Sequence, residues 1–180
     1  MLKFPAVRVI SPLPELYPEK SPPNRMFASM IYNSIDDIVI LWGGRLWEPL
    51  EDNSIWEYEI TSNKWIEFPN DEGPKVAYAY PSMVHITAEN KILLFGGGLL
   101  ESTFVGNPIN DTWEFDCKSR KWVALITKNS PPPVTIHSMV YVPKDNKLIL
   151  FGGETESMYS NRILEGTWIL SIKDSKWDKK

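Results

Sequence analysis

One motif in this chain occurs three times in register, and it limits the fold more than any other feature. An apolar run ends in a glycine pair in VILWGG (39–44), ILLFGG (92–97) and LILFGG (148–153). A polar loop follows each pair, and then two tryptophans stand nine positions apart: Trp56 and Trp65, Trp113 and Trp122, Trp168 and Trp177. A methionine (Met30, Met83, Met139) precedes each first glycine by thirteen residues. The glycine pairs are Gly43–Gly44, Gly96–Gly97 and Gly152–Gly153, so the period is 53 and then 56 residues. Three markers that hold register over three copies define a repeat protein with one supersecondary unit per copy.

Each copy divides into four short segments. The first surrounds the methionine: FASMIY (27–32), YPSMVHI (80–86) and IHSMVYV (136–142). The second is the continuous apolar run before the glycines, which suits a strand covered on both faces. The third alternates from the first tryptophan (Trp56, Tyr58, Ile60; Trp113, Phe115, Cys117; Trp168, Leu170, Ile172), the two-residue period of a strand. The fourth begins at the second tryptophan. Short connectors rich in Asn, Asp and Ser join first to second (NSIDD, AEN, KDN) and third to fourth (TSN, KSR, KDS), as hairpin links do. No useful length has helical period. The repeat therefore predicts a four-stranded antiparallel meander.

An apolar strand ending in Gly-Gly, a variable loop, an aromatic and a later tryptophan together resemble the kelch repeat, whose units form the blades of β-propellers. The resemblance covers about residues 24–180 and implies an all-β fold: three four-stranded antiparallel kelch-like blades, a partial or half propeller. The repeats fall at about 24–69, 77–126 and 134–180, behind a proline-rich arm, 1–23, in which KFPAVRVI is a candidate extra strand. Two family positions depart from pattern. The arginine ahead of the first strand survives only as Arg25, against Tyr78 and Val134, and the histidine only as His137, against Ala28 and Pro81. Crowding near a propeller axis gives the glycines a structural role, and the paired tryptophans are expected to fill the space between blades.

Composition narrows function. A net charge of −4 and a pI near 5.3 oppose a footprint for nucleic acid or anionic lipid. One cysteine allows no internal disulfide, no apolar run reaches a membrane span, and prolines interrupt the N-terminus where a signal peptide needs an apolar stretch. These features predict a soluble, intracellular, cytoplasmic protein. His85 and His137 occupy different repeat offsets and Cys117 stands where Ile60 and Ile172 stand, so all three read as packing residues. No HxH, CxxC, GxSxG or phosphate-loop pattern occurs, and the chain predicts no catalytic residue, cofactor or metal site.

Surface remains. In an up-and-down meander the post-glycine loops and the inter-repeat loops emerge at one end. The post-glycine loops (45–54, 98–111, 154–166) differ in length and carry Leu46, Trp47, Leu99, Leu100, Phe104, Met158, Tyr159 and Arg162. Variable loops on a rigid scaffold are where binding concentrates, although the same side chains could instead fold back over the blade edges. The leading expectation is a non-enzymatic protein–protein interaction module or scaffold subunit. The alternative is part of a propeller enzyme, of sugar isomerase or oxidase type, completed by another chain. Propellers close with about four to eight blades, so three blades imply a homodimer, a hetero-assembly or a piece of a longer product.

Overall fold

The structure, a computed structural model, describes residues 20–46, 53–70, 72–75, 78–99, 107–156 and 162–180. KFPAVRVI lies outside the described residues, as do Trp47, Leu100, Phe104, Met158 and Tyr159.

Blade 1 contains β1 (Arg25–Met26), β2 (Ser29–Asn33), β3 (Ile38–Trp42), β4 (Arg45–Leu46), β5 (Ile55–Glu59) and β6 (Lys64–Phe68). Blade 2 contains β7 (Tyr78–Ala79), β8 (Ser82–Ile86), β9 (Lys91–Phe95), β10 (Gly98–Leu99), β11 (Thr112–Asp116) and β12 (Lys121–Ala124). Blade 3 contains β13 (Ser138–Val142), β14 (Lys147–Phe151), β15 (Thr167–Ser171) and β16 (Lys176–Lys179). The main sheets run β2-β3-β5-β6, β8-β9-β11-β12 and β13-β14-β15-β16, all antiparallel and in chain order, with β4 and β10 set apart in two-stranded ribbons. The fold is all-β, as the repeat implies.

The first strand of each blade starts two residues later than the sequence pattern suggests. Phe27, Tyr80 and Ile136, at equivalent positions, have φ of 65°, 55° and 56°, and this left-handed step turns the chain before pairing begins. The hairpins share a second left-handed device. The last connector residue is Asp37, Asn63, Asn90, Arg120, Asn146 or Ser175, each with positive φ. Four of these also take a hydrogen bond at the side chain from the ring five residues earlier. Tyr32 donates to Asp37 (2.8 Å), Tyr58 to Asn63 and Tyr141 to Asn146 (2.9 Å), while His85 Nε2 lies 3.1 Å from Asn90 Oδ1. That is the chemistry the Asn/Asp-rich connectors promised.

Each blade has a front face, toward the next blade, and a back face, toward the one before. Ile40, Trp42 and Ile55 on the front of blade 1 meet Met83, Ile92, Leu94, Phe115 and Trp122 on the back of blade 2. Val84, Leu93 and Phe95 on the front of blade 2 meet Leu148, Leu150, Leu170 and Trp177 on the back of blade 3. Strand β9 therefore serves two cores, Ile92 and Leu94 on one side and Leu93 and Phe95 on the other, which is why its run is continuously apolar.

The tryptophan pairs divide unequally. Trp122 and Trp177 are buried in the junctions, whereas Trp113 and Trp168 are half-buried; blade 1 is the reverse, with Trp56 buried and Trp65 half-buried. Both members lie on the back face, but in blades 2 and 3 the inter-repeat linkers cover only the second. An added Cβ on Gly73 would sit 2.5 Å from Trp122, and the backbone N–H of Trp177 donates to the Lys128 carbonyl at 2.9 Å. Strand β16 is as long as its counterpart β12, so the last blade is not truncated.

Polar links clamp the first junction. Buried Glu57 of blade 1 takes two hydrogen bonds from Arg120 of blade 2, Nε at 3.0 Å and Nη2 at 2.9 Å, and the guanidinium lies 4.3 Å from the Phe68 ring centre. Asn33 donates to both Asp36 (2.8 Å) and Asn90 (3.0 Å), which ties the turns of the two blades. Two predictions follow from the junctions. Trp122→Ala should lose about 3–5 kcal/mol in chemical unfolding, and Trp113→Ala clearly less. Arg120→Ala, which strands the buried Glu57 carboxylate, should lose about 3 kcal/mol, while Lys118→Ala on the same turn should be near neutral.

Candidate interaction surface

The six hairpin turns define one rim of the arc, and the glycine loops and inter-repeat segments define the other. Three equivalent ribbons organise that loop rim. Strand β1 pairs with β4 (Met26↔Arg45), β7 pairs with β10 (Ala79↔Gly98), and Thr135 bridges Glu154 at the matching positions of blade 3. Each post-glycine loop is thus held at its root by the segment that enters the same blade.

Backbone contacts between blades stiffen this rim. The Gly44 N–H donates to the Tyr78 carbonyl (2.9 Å), Tyr80 N–H to Phe27 (2.9 Å) and Gly97 N–H to Val134 (3.0 Å). Phe27 and Tyr80 stack at 4.1 Å between ring centres and a 26° interplanar angle. A side chain at Gly96 would meet the Val134 carbonyl at 2.6 Å and the His137 ring at 2.9 Å, and φ is +61° there, so this close approach requires glycine.

Of the loop residues singled out in the sequence, three are described. Leu46 is 2% exposed, and Leu99 packs against the core of the first junction. Arg162 is different: its side chain is 72% exposed and pairs with Glu156 at 2.6 Å, while its carbonyl accepts the Thr155 N–H at 3.0 Å and closes the root of the third loop.

Sequence reasoning passed over two features of this rim. One is the stack of Phe27 on Tyr80, for which the aromatic residues three before Met30 and Met83 were the available signal. The other is an open cleft of about 350 Å³ beside blade 2, between Asp111, Trp113, Leu125, Ile126 and Thr127. Ile126 is almost fully exposed there. A smaller groove of about 260 Å³ lies between β6 and β12, where Lys121 and Arg120 already pair with Glu72 and Glu57.

The titratable groups bear on chemistry. Burial pushes the Cys117 thiol up to about 12, with the carboxylates of Asp36, Glu57 and Asp116 adding to the effect, so it stays a protonated thiol at neutral pH. Tyr78 is likewise raised, by burial and then by Asp111, whose carboxylate accepts its hydroxyl at 3.0 Å. Burial lowers His137 to about 4, although the nearby Phe95 backbone opposes the shift without reaching hydrogen-bonding geometry. Neither His137 ring nitrogen has a hydrogen-bond partner among the described residues. No three His, Cys, Asp or Glu side chains among the described residues lie together as a metal site needs. No described helix is long and apolar enough to cross a membrane.

The model of the KLHDC2/KLHL20/DRC7 Kelch-repeats domain matches residues 14–180. The chain belongs to the kelch-repeat family. It is similar to Kelch repeat-containing protein 2 of Saccharomyces cerevisiae, 35% identical over 117 residues, 62% of this chain and 13% of that one. Mei4-dependent protein 6 of Schizosaccharomyces pombe is 24% identical over 157 residues, 83% of this chain and 22% of the relative. Tip elongation aberrant protein 3 of the same yeast is 36% identical over 98 residues, 52% and 8% respectively. The kelch segment described here thus corresponds to less than a quarter of each of these relatives. Kelch repeats generally form protein-interaction modules.

The His137 environment generates a prediction about pH. Its pKa when unfolded is about 6.5, above the folded value, so the unfolded chain binds the extra proton as pH falls. Stability from this group is complete above that value and drains away as pH falls through the folded value of about 4. The whole loss is on the order of 3 kcal/mol. Chemical unfolding as a function of pH should show this slope in the native protein and a shallower one in His137→Leu.

Proposed function

We propose that this kelch segment is a non-enzymatic protein–protein interaction module that binds its partner through the loop rim, within a ring whose remaining blades come from another chain, as a homodimer or a hetero-assembly. The observation that carries the reading is the threefold ribbon pattern. It roots three loops of unequal length and composition on one rigid rim. Exposed Arg162 at the root of the third loop is a suitable anchor, since arginine and aromatic side chains dominate binding energy at protein interfaces. Trp47, Leu100, Phe104, Met158 and Tyr159 belong to the same three loops in sequence and are the other candidate contacts. The ribbon residues Leu46, buried, and Leu99, half-buried, hold the rim rather than touch the partner.

The test is a comparison of surface variants in an affinity capture followed by a titration with the captured protein. Arg162→Glu and Trp47→Ala should weaken binding at least tenfold with an unchanged melting temperature. Lys118→Glu and Asp174→Lys, on the turn rim, should leave binding intact. Loss of binding confined to the turn-rim pair would place the interface on the other side of the arc.

A further inference from the structure

The two ends of the arc are unfinished in complementary ways. Phe151 in β14 stands where Phe95 stands in β9. Phe95 is 0% exposed beneath blade 3, and Phe151 is 64% exposed. Its partners across the sheet are Ser138 and Thr167, and two residues along the strand Val140, Ile149 and Ile169 pair into an apolar row on the same front face. The first glycine of each pair reports the same vacancy. A Cβ on Gly43 would meet the Tyr78 carbonyl of the next blade at 2.8 Å, and one on Gly96 the Val134 carbonyl at 2.6 Å, but one on Gly152 would meet nothing within 4 Å. The second glycine agrees: Gly44 and Gly97 donate their N–H groups to those carbonyls, whereas the Gly153 N–H has no partner among the described residues.

The back of blade 1 carries the matching surface. Met30, Tyr32, Val39, Leu41, Tyr58 and Trp65 occupy the positions of the residues that blades 2 and 3 bury against their predecessors. Met30 is 61% exposed where Met83 is 5% exposed. A terminal repeat that ends an array in water has a polar outer face, and this one does not. Lys20, which bonds Glu67 at 2.6 Å and lies 5.7 Å from the Trp56 ring centre, stands at the repeat position of Gly73. The chain therefore enters blade 1 along the outer track that a linker follows into blade 2; on the back face Leu41 and Trp56 are buried, while β2, with Met30 and Tyr32 exposed, is open to a neighbour.

We propose that the occupant of the blade 3 front face is the blade 1 back face of a second copy, and that two copies packed front to back at both junctions close a six-bladed ring. Six lies within the range of about four to eight blades at which propellers close. The two surfaces are compatible in charge. At the first junction Glu57 needs Arg120, whereas the equivalent positions at the new junction are Ile169 and Asn63, so neither of these two positions would bury a charge there. The contact is heterologous, with different patches meeting, and it ends after two copies because the ring closes. This inference rests on the reading that another chain completes the arc, and it is independent of where a partner binds the loop rim.

Sedimentation of the full chain over a concentration series tests it, with Phe151→Glu and Met30→Glu as variants at positions already open to water. The native protein should have about twice the 20.7 kDa chain mass. Each variant alone should fall to the single-chain mass with unchanged circular dichroism. An equimolar mixture of the two should recover the doubled mass, since the intact back face of Phe151→Glu can meet the intact front face of Met30→Glu. A folded native protein that stays at 20.7 kDa at every concentration overturns the proposal. So does a Met30→Glu protein that still dimerises alone, which signals front-to-front packing, and so does an open series of higher masses. A native monomer that gains mass only with a different kelch protein would retain completion by another chain and reject the second copy. Loss of partner binding in Arg162→Glu without any change of mass separates the loop-rim reading from this one.

Discussion

Face-to-face packing of one blade on the next is the contact on which everything else in this chain depends. No single four-stranded meander here could bury its own apolar surface. Strand β9 is secure because Ile92 and Leu94 point into one junction and Leu93 and Phe95 into the other. The glycine pairs, the left-handed entry residues and the linkers over Trp122 and Trp177 all serve that approach. They let backbones and rings come closer than a chain with side chains and ordinary dihedrals would permit.

The two junctions solve the same packing problem with different polar chemistry. Blades 1 and 2 are joined by the Glu57–Arg120 pair and the Asn33–Asp36–Asn90 cluster. At blades 2 and 3 the corresponding acid, Glu114, is neutralised by Lys91 of its own blade at 2.7 Å, and the position of Arg120 is filled by Ser175. His137 is instead enclosed between the glycine pairs of the two blades. The apolar repeat is thus nearly uniform while its polar pairs change from blade to blade, and this individuality gives each blade a preferred neighbour.

The loop rim owes its form to the same packing. Ribbons at the root of each loop exist because the entering segment must pass the glycine pair of its own blade to reach β2, β8 or β13. What lies beyond the roots is released from the repeat, so the three loops diverge in length and character. This separation between an invariant scaffold and a variable rim suits a family whose members generally bind other proteins.

Repeat number, strand order and hairpin chemistry were legible in the sequence, whereas double burial of the Gly-Gly strand holds for β9 and not for β14, whose Phe151 is exposed. Local rules create the legible features: alternation, turn residues and a marker spacing that recurs regardless of what lies next to the chain. Which tryptophan of each pair would be buried, whether Leu46 and Leu99 would face solvent, and that Arg120 would reach Glu57 some 63 residues away were decided only by the tertiary structure. Those outcomes depend on how far a neighbouring blade or linker extends over a given position, and the spacing of residues along one chain does not encode that distance. Phe95 and Phe151 state the difference most simply: one residue type at one repeat position, buried on the face that blade 3 covers and exposed on the front of blade 3 itself.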